Sequence, residues 1–303
     1  MISALSGLAV IAVIVLVGWV AGRWGGLPSS TVAVAGRLAY TVLSPCLLFT
    51  SASASNPRIL FSEPLLVSAL AAVVCFGAHA LVTRHRDPGT RIVGALAAGY
   101  TNAGYIGIPV AAYVLNDAAL VVPVIMFQLL IVTPVALTLL QLVTAGDASW
   151  RRSLTAPLRS PLSVAVVLGV VVAVTGVRLP SVVTDPIAAI GQAAVPVVLI
   201  AFGMSLSGAR VLAPGPDRMP TIAAVALKAA LMPLFAYLLA LALRLSPPET
   251  YAVTVLAALP TAQNVFLYAQ SFTAAVPLAR DAVFLSSLLC VPALVALTIA
   301  NSV

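Results

Sequence analysis

The chain has 303 residues, 62% of them hydrophobic and only 8% charged, where soluble domains run at about 45–50% and about 25%. With a mean hydropathy of +1.14 and apolar runs along the whole length, a soluble globular fold is excluded and the bilayer must be the solvent. The net charge of +7 does not imply nucleic acid, because the arginines cluster in short connections, where they orient membrane spans. Cys46, Cys75 and Cys290 are scattered through apolar stretches without C-x-x-C spacing and read as small buried hydrophobes.

Crossing about 30 Å of hydrocarbon takes about 20 helical residues. Hydropathy predicts ten transmembrane helices, at 2–21, 32–54, 64–83, 92–116, 119–144, 161–177, 183–207, 219–243, 250–272 and 282–302. The first has no basic residue before it and no small-residue cleavage site after it, so it reads as a retained helix. Taken alternately, the loops place eleven arginines, Arg23, Arg84, Arg91, Arg151 and Arg152 among them, on one side, against Arg58, Arg178 and Arg244 on the other. The positive-inside rule puts the first group in the cytoplasm and both termini on the outer side of a cell inner (plasma) membrane.

Five spans per half would invert the second half, giving two repeats, 1–150 and 151–303. Leu27-Pro28 after the first span recurs as Leu179-Pro180 after the sixth, and Pro45 inside the second is echoed by Pro196 inside the seventh. The fourth and ninth spans are both interrupted. The fourth carries Asn102, Gly104, Gly107 and Pro109, and the ninth carries Pro260, Gln263 and Asn264. Glycine relaxes the backbone and proline removes an N–H, so both segments should unwind, which hydrocarbon tolerates only inside protein or beside a watery cavity. Both breaks lie roughly 16 Å from the nearest loop at about 1.5 Å per residue. Two half-helix N-termini crossing there would suit an anionic group, with unwound carbonyls available to a cation.

Lys228 is the single lysine and the one charge placed deep in a span. A central lysine costs about 2.5–3.5 kcal/mol on insertion scales and needs a cavity or a partner. It reads as a cavity-facing amine that either counterbalances an anionic substrate or titrates; the alternative is a carbonyl-capped structural lysine. Gln128 and Gln192 line a path or make interhelical hydrogen bonds, and His79 is a packed or interfacial histidine. No Ser/His/Asp set, metal cluster or phosphate loop is present, so no catalytic residue, metal or cofactor is expected and an enzyme is disfavoured.

Leu43-Ser44-Pro45-Cys46-Leu47-Leu48-Phe49, Asn102 to Pro109, Ala194-Val195-Pro196 through Gly203-Met204-Ser205-Leu206, and Ala258-Leu259-Pro260-Thr261-Ala262-Gln263-Asn264 together resemble the auxin efflux carrier family, over the whole chain and in the right order. The resemblance is to a bacterial member, related to the plant PIN auxin exporters. It implies a ten-helix inverted-repeat fold like that of bile-acid transporters and sodium/proton antiporters, with broken crossover helices four and nine. Spans 1, 2, 6 and 7 would form a scaffold and spans 3–5 and 8–10 a mobile transport domain, with elevator-type alternating access in a homodimer. Substrates would be small organic anions: carboxylates such as malate or malonate, or the auxin indole-3-acetic acid. By position, the crossover residues would be Asn102, Gly104, Gly107, Pro109, Pro260, Gln263 and Asn264. The chain departs from its relatives in two ways. The connection between its halves is short, and its third span offers only Glu63, at the outer mouth, where related carriers hold a proton or sodium on carboxylates. Lys228 would then stand in for a bound cation. The rival readings are a sodium-coupled bile-acid-type symporter and a non-transporting membrane sensor or scaffold.

Overall fold

A computed structural model describes residues 2–28, 30–54, 63–107, 110–111, 114–115, 117–144, 161–208 and 210–302. Among them the regular structure is helical, without strands: α1 Ile2–Trp24, α2 Thr31–Ser53, α3 Glu63–Val82, α4 Pro88–Gly99, α5 at 118–144, α6 Pro161–Thr175, α7 Ser181–Leu206, α8 Arg218–Ala242, α9 Pro247–Ala258, α10 Gln263–Ser271 and α11 Val276–Ser302. Five of these (α2, α3, α7, α8 and α11) are long and apolar enough to cross a membrane. The molecule is a polytopic, multi-pass membrane protein.

Helix starts differ from the hydropathy expectation where polar signals lie. α4 begins at Pro88 and not at 92, because Asp87 accepts the Thr90 N–H at 3.0 Å as N-cap and Pro88 occupies the first turn. α9 begins at Pro247 and not at 250, behind a capping box in which Ser246 and Glu249 bond each other. α11 runs through Arg280 and Asp281, which were expected to lie outside the span. They pair with each other at 2.7 Å, and Asp281 also accepts the Leu212 N–H at 2.9 Å, so the helix carries them at little cost.

Three helices widen into π turns, at Ala39–Leu43 in α2, Gln128–Val132 in α5 and Leu227–Leu231 in α8. Each is followed two residues later by a proline: Pro45, Pro134 and Pro233. Proline has no N–H, and its ring strikes the carbonyl four residues back; the wider turn absorbs both defects without ending the helix.

Two sets of helices pack differently. α1 lies along α7, and α2 against α6 and α7, at backbone contact: a Cβ on Gly18 would overlap the Ile200 carbonyl, one on Gly203 the Val15 carbonyl, and one on Gly191 would sit 2.8 Å from the Leu47 nitrogen. Small residues give such approaches when lipid supplies no hydrophobic drive. The large core cluster lies mainly in the other set, with Val67 and Cys75 of α3, Ala97 of α4, Leu137 of α5, Ala236 of α8, Phe266 of α10 and Val283 of α11, and reaches the first set at Leu48 of α2 and Phe202 of α7. The end of α3 and the starts of α4, α8 and α11 share one end of the bundle. There His79 Nε2 lies 3.0 Å from the Pro220 carbonyl oxygen, which makes this histidine a buried pin between α3 and α8.

Candidate functional site

α4 stops at Tyr100, whose extended backbone (φ −85°, ψ 105°) leaves the helix. α9 stops at Leu259 (φ −59°, ψ 150°), as the residue before a proline is driven to do. The two freed segments meet. Thr101 and Thr261 form an antiparallel bridge; Asn102 N–H donates to the Pro260 carbonyl at 2.8 Å and Ala262 N–H to the Tyr100 carbonyl at 3.0 Å. Thr261 Oγ1 donates to the Ala97 carbonyl at 2.6 Å, while Ser286 Oγ of α11 accepts the Thr261 N–H at 3.0 Å. Backbone groups that the broken helices would strand are thereby satisfied inside protein.

The side chains of the crossing are drawn together. Asn102 Nδ2 donates to Gln263 Oε1 at 2.6 Å, and both residues are buried. Asn264 neighbours the Tyr100 hydroxyl, which also bonds Thr133 Oγ1 at 2.9 Å; Thr133 in turn reaches the Tyr268 hydroxyl at 3.3 Å. Gly104 and Gly107 sit on a π turn, Ala103–Gly107, where Asn102 O accepts the Gly107 N–H at 2.9 Å. Gly104 faces open space, whereas a Cβ on Gly107 would meet Val121 at 2.9 Å. Pro260 is buried at the break. Pro109, also expected at the crossover, lies outside the described residues, so of the expected pair of half-helix N-termini only that of α10, at Gln263, is described.

Lys228 is fully buried on the π turn of α8. Its Nζ donates to the Ala257 carbonyl at 2.8 Å and lies 3.1 Å from Met232 Sδ. Thr101 Oγ1 is 3.9 Å from the same sulfur, so Met232 links the amine to the crossing. The amine thus caps a carbonyl in the last turn of α9, the negative end of that helix dipole. This geometry is the carbonyl-capped arrangement, not an amine projecting into an open cavity. Gln128, which opens the π turn of α5, lines a cavity of about 10 Å³ with Ser68, Thr101, Met232 and Ala257, and the Ser68 hydroxyl there has no partner.

A wider cavity of about 720 Å³ opens between α2, α5 and α10, lined by Arg37, Tyr40, Thr41, Gln141, Thr144 and Gln270 among others. That is a common volume for small-molecule sites. α10 runs from Gln263 at the crossing to this vestibule, about 13 Å at 1.5 Å per residue, and Gln270 Oε1 is buried there without a partner. Neither Arg37 nor Gln270 stood out as a site residue in the sequence, where Arg37 counted only as an orienting charge.

The chain belongs to the membrane transport protein family, whose profile matches residues 3–298, nearly its whole length. This is the auxin efflux carrier family that its motifs resemble, and membership makes the chain a membrane transporter. Comparison with curated proteins finds no match.

Proposed function

We propose that the chain is a secondary carrier for a small organic anion, which it binds by the carboxylate at the crossing of α4 and α9–α10 and exposes alternately by elevator movement. The observation that carries this reading is the crossing itself: two helices broken at corresponding motifs, paired by main-chain hydrogen bonds, with the Asn102–Gln263 carboxamides, the positive end of α10 and the Lys228 amine gathered around it. A carboxylate would take the Asn102 amide hydrogen from Gln263, exchanging a neutral hydrogen bond for a charge-assisted one.

In this reading ten spans form two inverted repeats, 1–150 and 151–303, with both termini outside. α1, α2, α6 and α7 are the scaffold, supported by their close glycine contacts, and the other helices move together, supported by their shared core. The vestibule at Arg37 is the substrate's way in, and a homodimer holds the scaffolds fixed.

The test is thermal stability of purified protein with mono- and dicarboxylates, indole-3-acetate and bile acids, with and without sodium, in wild type and Asn102→Ala, followed by flux into vesicles. A ligand of the folded state raises apparent stability. Stabilisation by a carboxylate, indifferent to sodium and lost in the variant, is expected. Stabilisation that requires sodium would replace this reading with a coupled symporter, and binding without flux would replace it with a sensor.

A further inference from the structure

On the outer face of the helix bundle, α3, α4 and α5 enclose a groove of about 620 Å³. Its walls include Val73 and Gly77 of α3, Ile92 of α4, and Phe127, Ile131 and Val135 of α5, and of all its lining side chains Arg91 alone is polar. Val73, Ile131 and Val135 are more than half exposed, so the groove opens toward lipid. Along α5 it runs from Phe127 to Leu139, about 18 Å at 1.5 Å per residue, against the roughly 15 Å of hydrocarbon in one leaflet of a 30 Å core.

Arg91 is placed where a cation gains nothing from its own helix. It lies in the first turn of α4, where the dipole is positive and an anion, not a guanidinium, is favoured. Its Nε is buried without a hydrogen-bond partner. The nearby Asp87 carboxylate is engaged in capping, accepting the Thr90 N–H at 3.0 and 3.4 Å. Exposed Arg84 and Arg86 in the preceding turn add positive charge at the same end.

We propose that this groove is a binding site for an anionic glycerophospholipid, with the phosphate on Arg91 and one acyl chain along the wall of α3 and α5. Guanidinium presents a planar fork suited to phosphate oxygens, and basic pockets between membrane helices commonly take lipid headgroups. A second groove provides the contrast. α8, α9 and α11 form an apolar groove of about 720 Å³, and α9 opens with Pro247 as α4 opens with Pro88. In the place of Arg91 that groove has Thr250, and no charged side chain lines it. It should hold acyl chains without regard to headgroup charge.

The inference does not depend on the transported substrate. It is tested by titrating the purified full chain in detergent with phosphatidylglycerol or with phosphatidylcholine of the same acyl chains, reading bound lipid by native mass spectrometry and apparent Tm in parallel. Wild type is expected to hold phosphatidylglycerol at least tenfold more tightly, and Arg91→Gln to reduce that preference below twofold. Gly77→Leu fills the groove from a position where an added Cβ meets nothing within 4 Å, so it should fold and still lose the tightly held lipid while keeping Arg91. If Arg91→Gln fails to fold, Gly77→Leu decides. Equal affinity for the two lipids in wild type, a preference undiminished in the variants, or the same stabilisation from inorganic phosphate alone would overturn the proposal.

Discussion

The amine of Lys228 lies 2.8 Å from the carbonyl oxygen of Ala257, in the last turn of the helix that breaks at Pro260. Among the described residues the ion pair present is Arg280–Asp281, far from this amine in the chain, so the lysine's partner is main chain. Lys228→Met keeps the length of the side chain and removes the charge. It leaves one buried carbonyl unpaired, about 1–3 kcal/mol, but also ends the burial of a cation, an offsetting gain of similar size. Apparent Tm should therefore change little while anion flux into vesicles falls at least tenfold. Unchanged flux would remove Lys228 from the mechanism.

Asn102 and Gln263 should behave as a unit. A hydrogen bond to a charged group contributes about 1.5–3 kcal/mol, so Asn102→Ala should weaken carboxylate binding by about 10- to 150-fold. Because the two carboxamides touch at 2.6 Å, the double variant with Gln263→Ala should lose clearly less than the sum of the two single losses. Calorimetric titration of the four proteins measures the coupling; additive losses would mean that the pair does not share a ligand.

Pro233 and the π turn at Leu227–Leu231 set the direction of Lys228. In Pro233→Ala the regular hydrogen-bond ladder can close and the turn tighten, rotating the residues before it by up to about 100° per residue gained. The expected outcome is a Tm equal to or above wild type with flux reduced as in Lys228→Met. Wild-type flux in this variant would show that the wide turn has no functional consequence.

Two glycines should respond oppositely to alanine or valine. Gly203→Val places atoms on the Val15 carbonyl of α1, and overpacking of this kind costs about 1–3 kcal/mol, more where backbone must move. Gly104→Ala, facing open space, should leave Tm within error.

The Asp217 carboxyl, at the N-cap of α8 outside the span, is pushed up by burial and by the neighbouring Asp87, against the opposing pull of Arg86. The folded state therefore holds this proton more tightly. Its contribution to stability is full below the ordinary carboxylate value of about 3.9 and is lost as pH rises through the raised folded value. Asp217→Asn should raise Tm at pH 7, and the gap from wild type should close toward pH 4; a constant gap would assign the effect to something other than titration.

Both breaks were legible in the sequence because glycine, proline and carboxamides interrupt otherwise apolar runs at Asn102 to Pro109 and at Pro260 to Asn264. Their partners were not. Whether Asn102 meets Gln263 or another residue depends on the register of two helices 161 positions apart, and a lysine's bond to a main-chain carbonyl leaves no trace in side-chain chemistry. Hydropathy also misplaced the starts of α4 and α9, because capping residues such as Asp87 and Ser246 are polar and look like loop. Pro134 and Pro233 carried the same mark as Pro45, and their distances of six residues from Gln128 and five from Lys228, respectively, were the signal that would have placed both on widened turns.

The bridge between Thr101 and Thr261 is made of amides and carbonyls alone. It therefore works like the frame of a lock whose pins can be exchanged: the side chains at 102, 263 and 264 can be replaced while the main-chain frame that presents them stays as it is. It also ties the two broken helices to each other, so that neither can swing alone, and any displacement of one carries the other with it as a single piece.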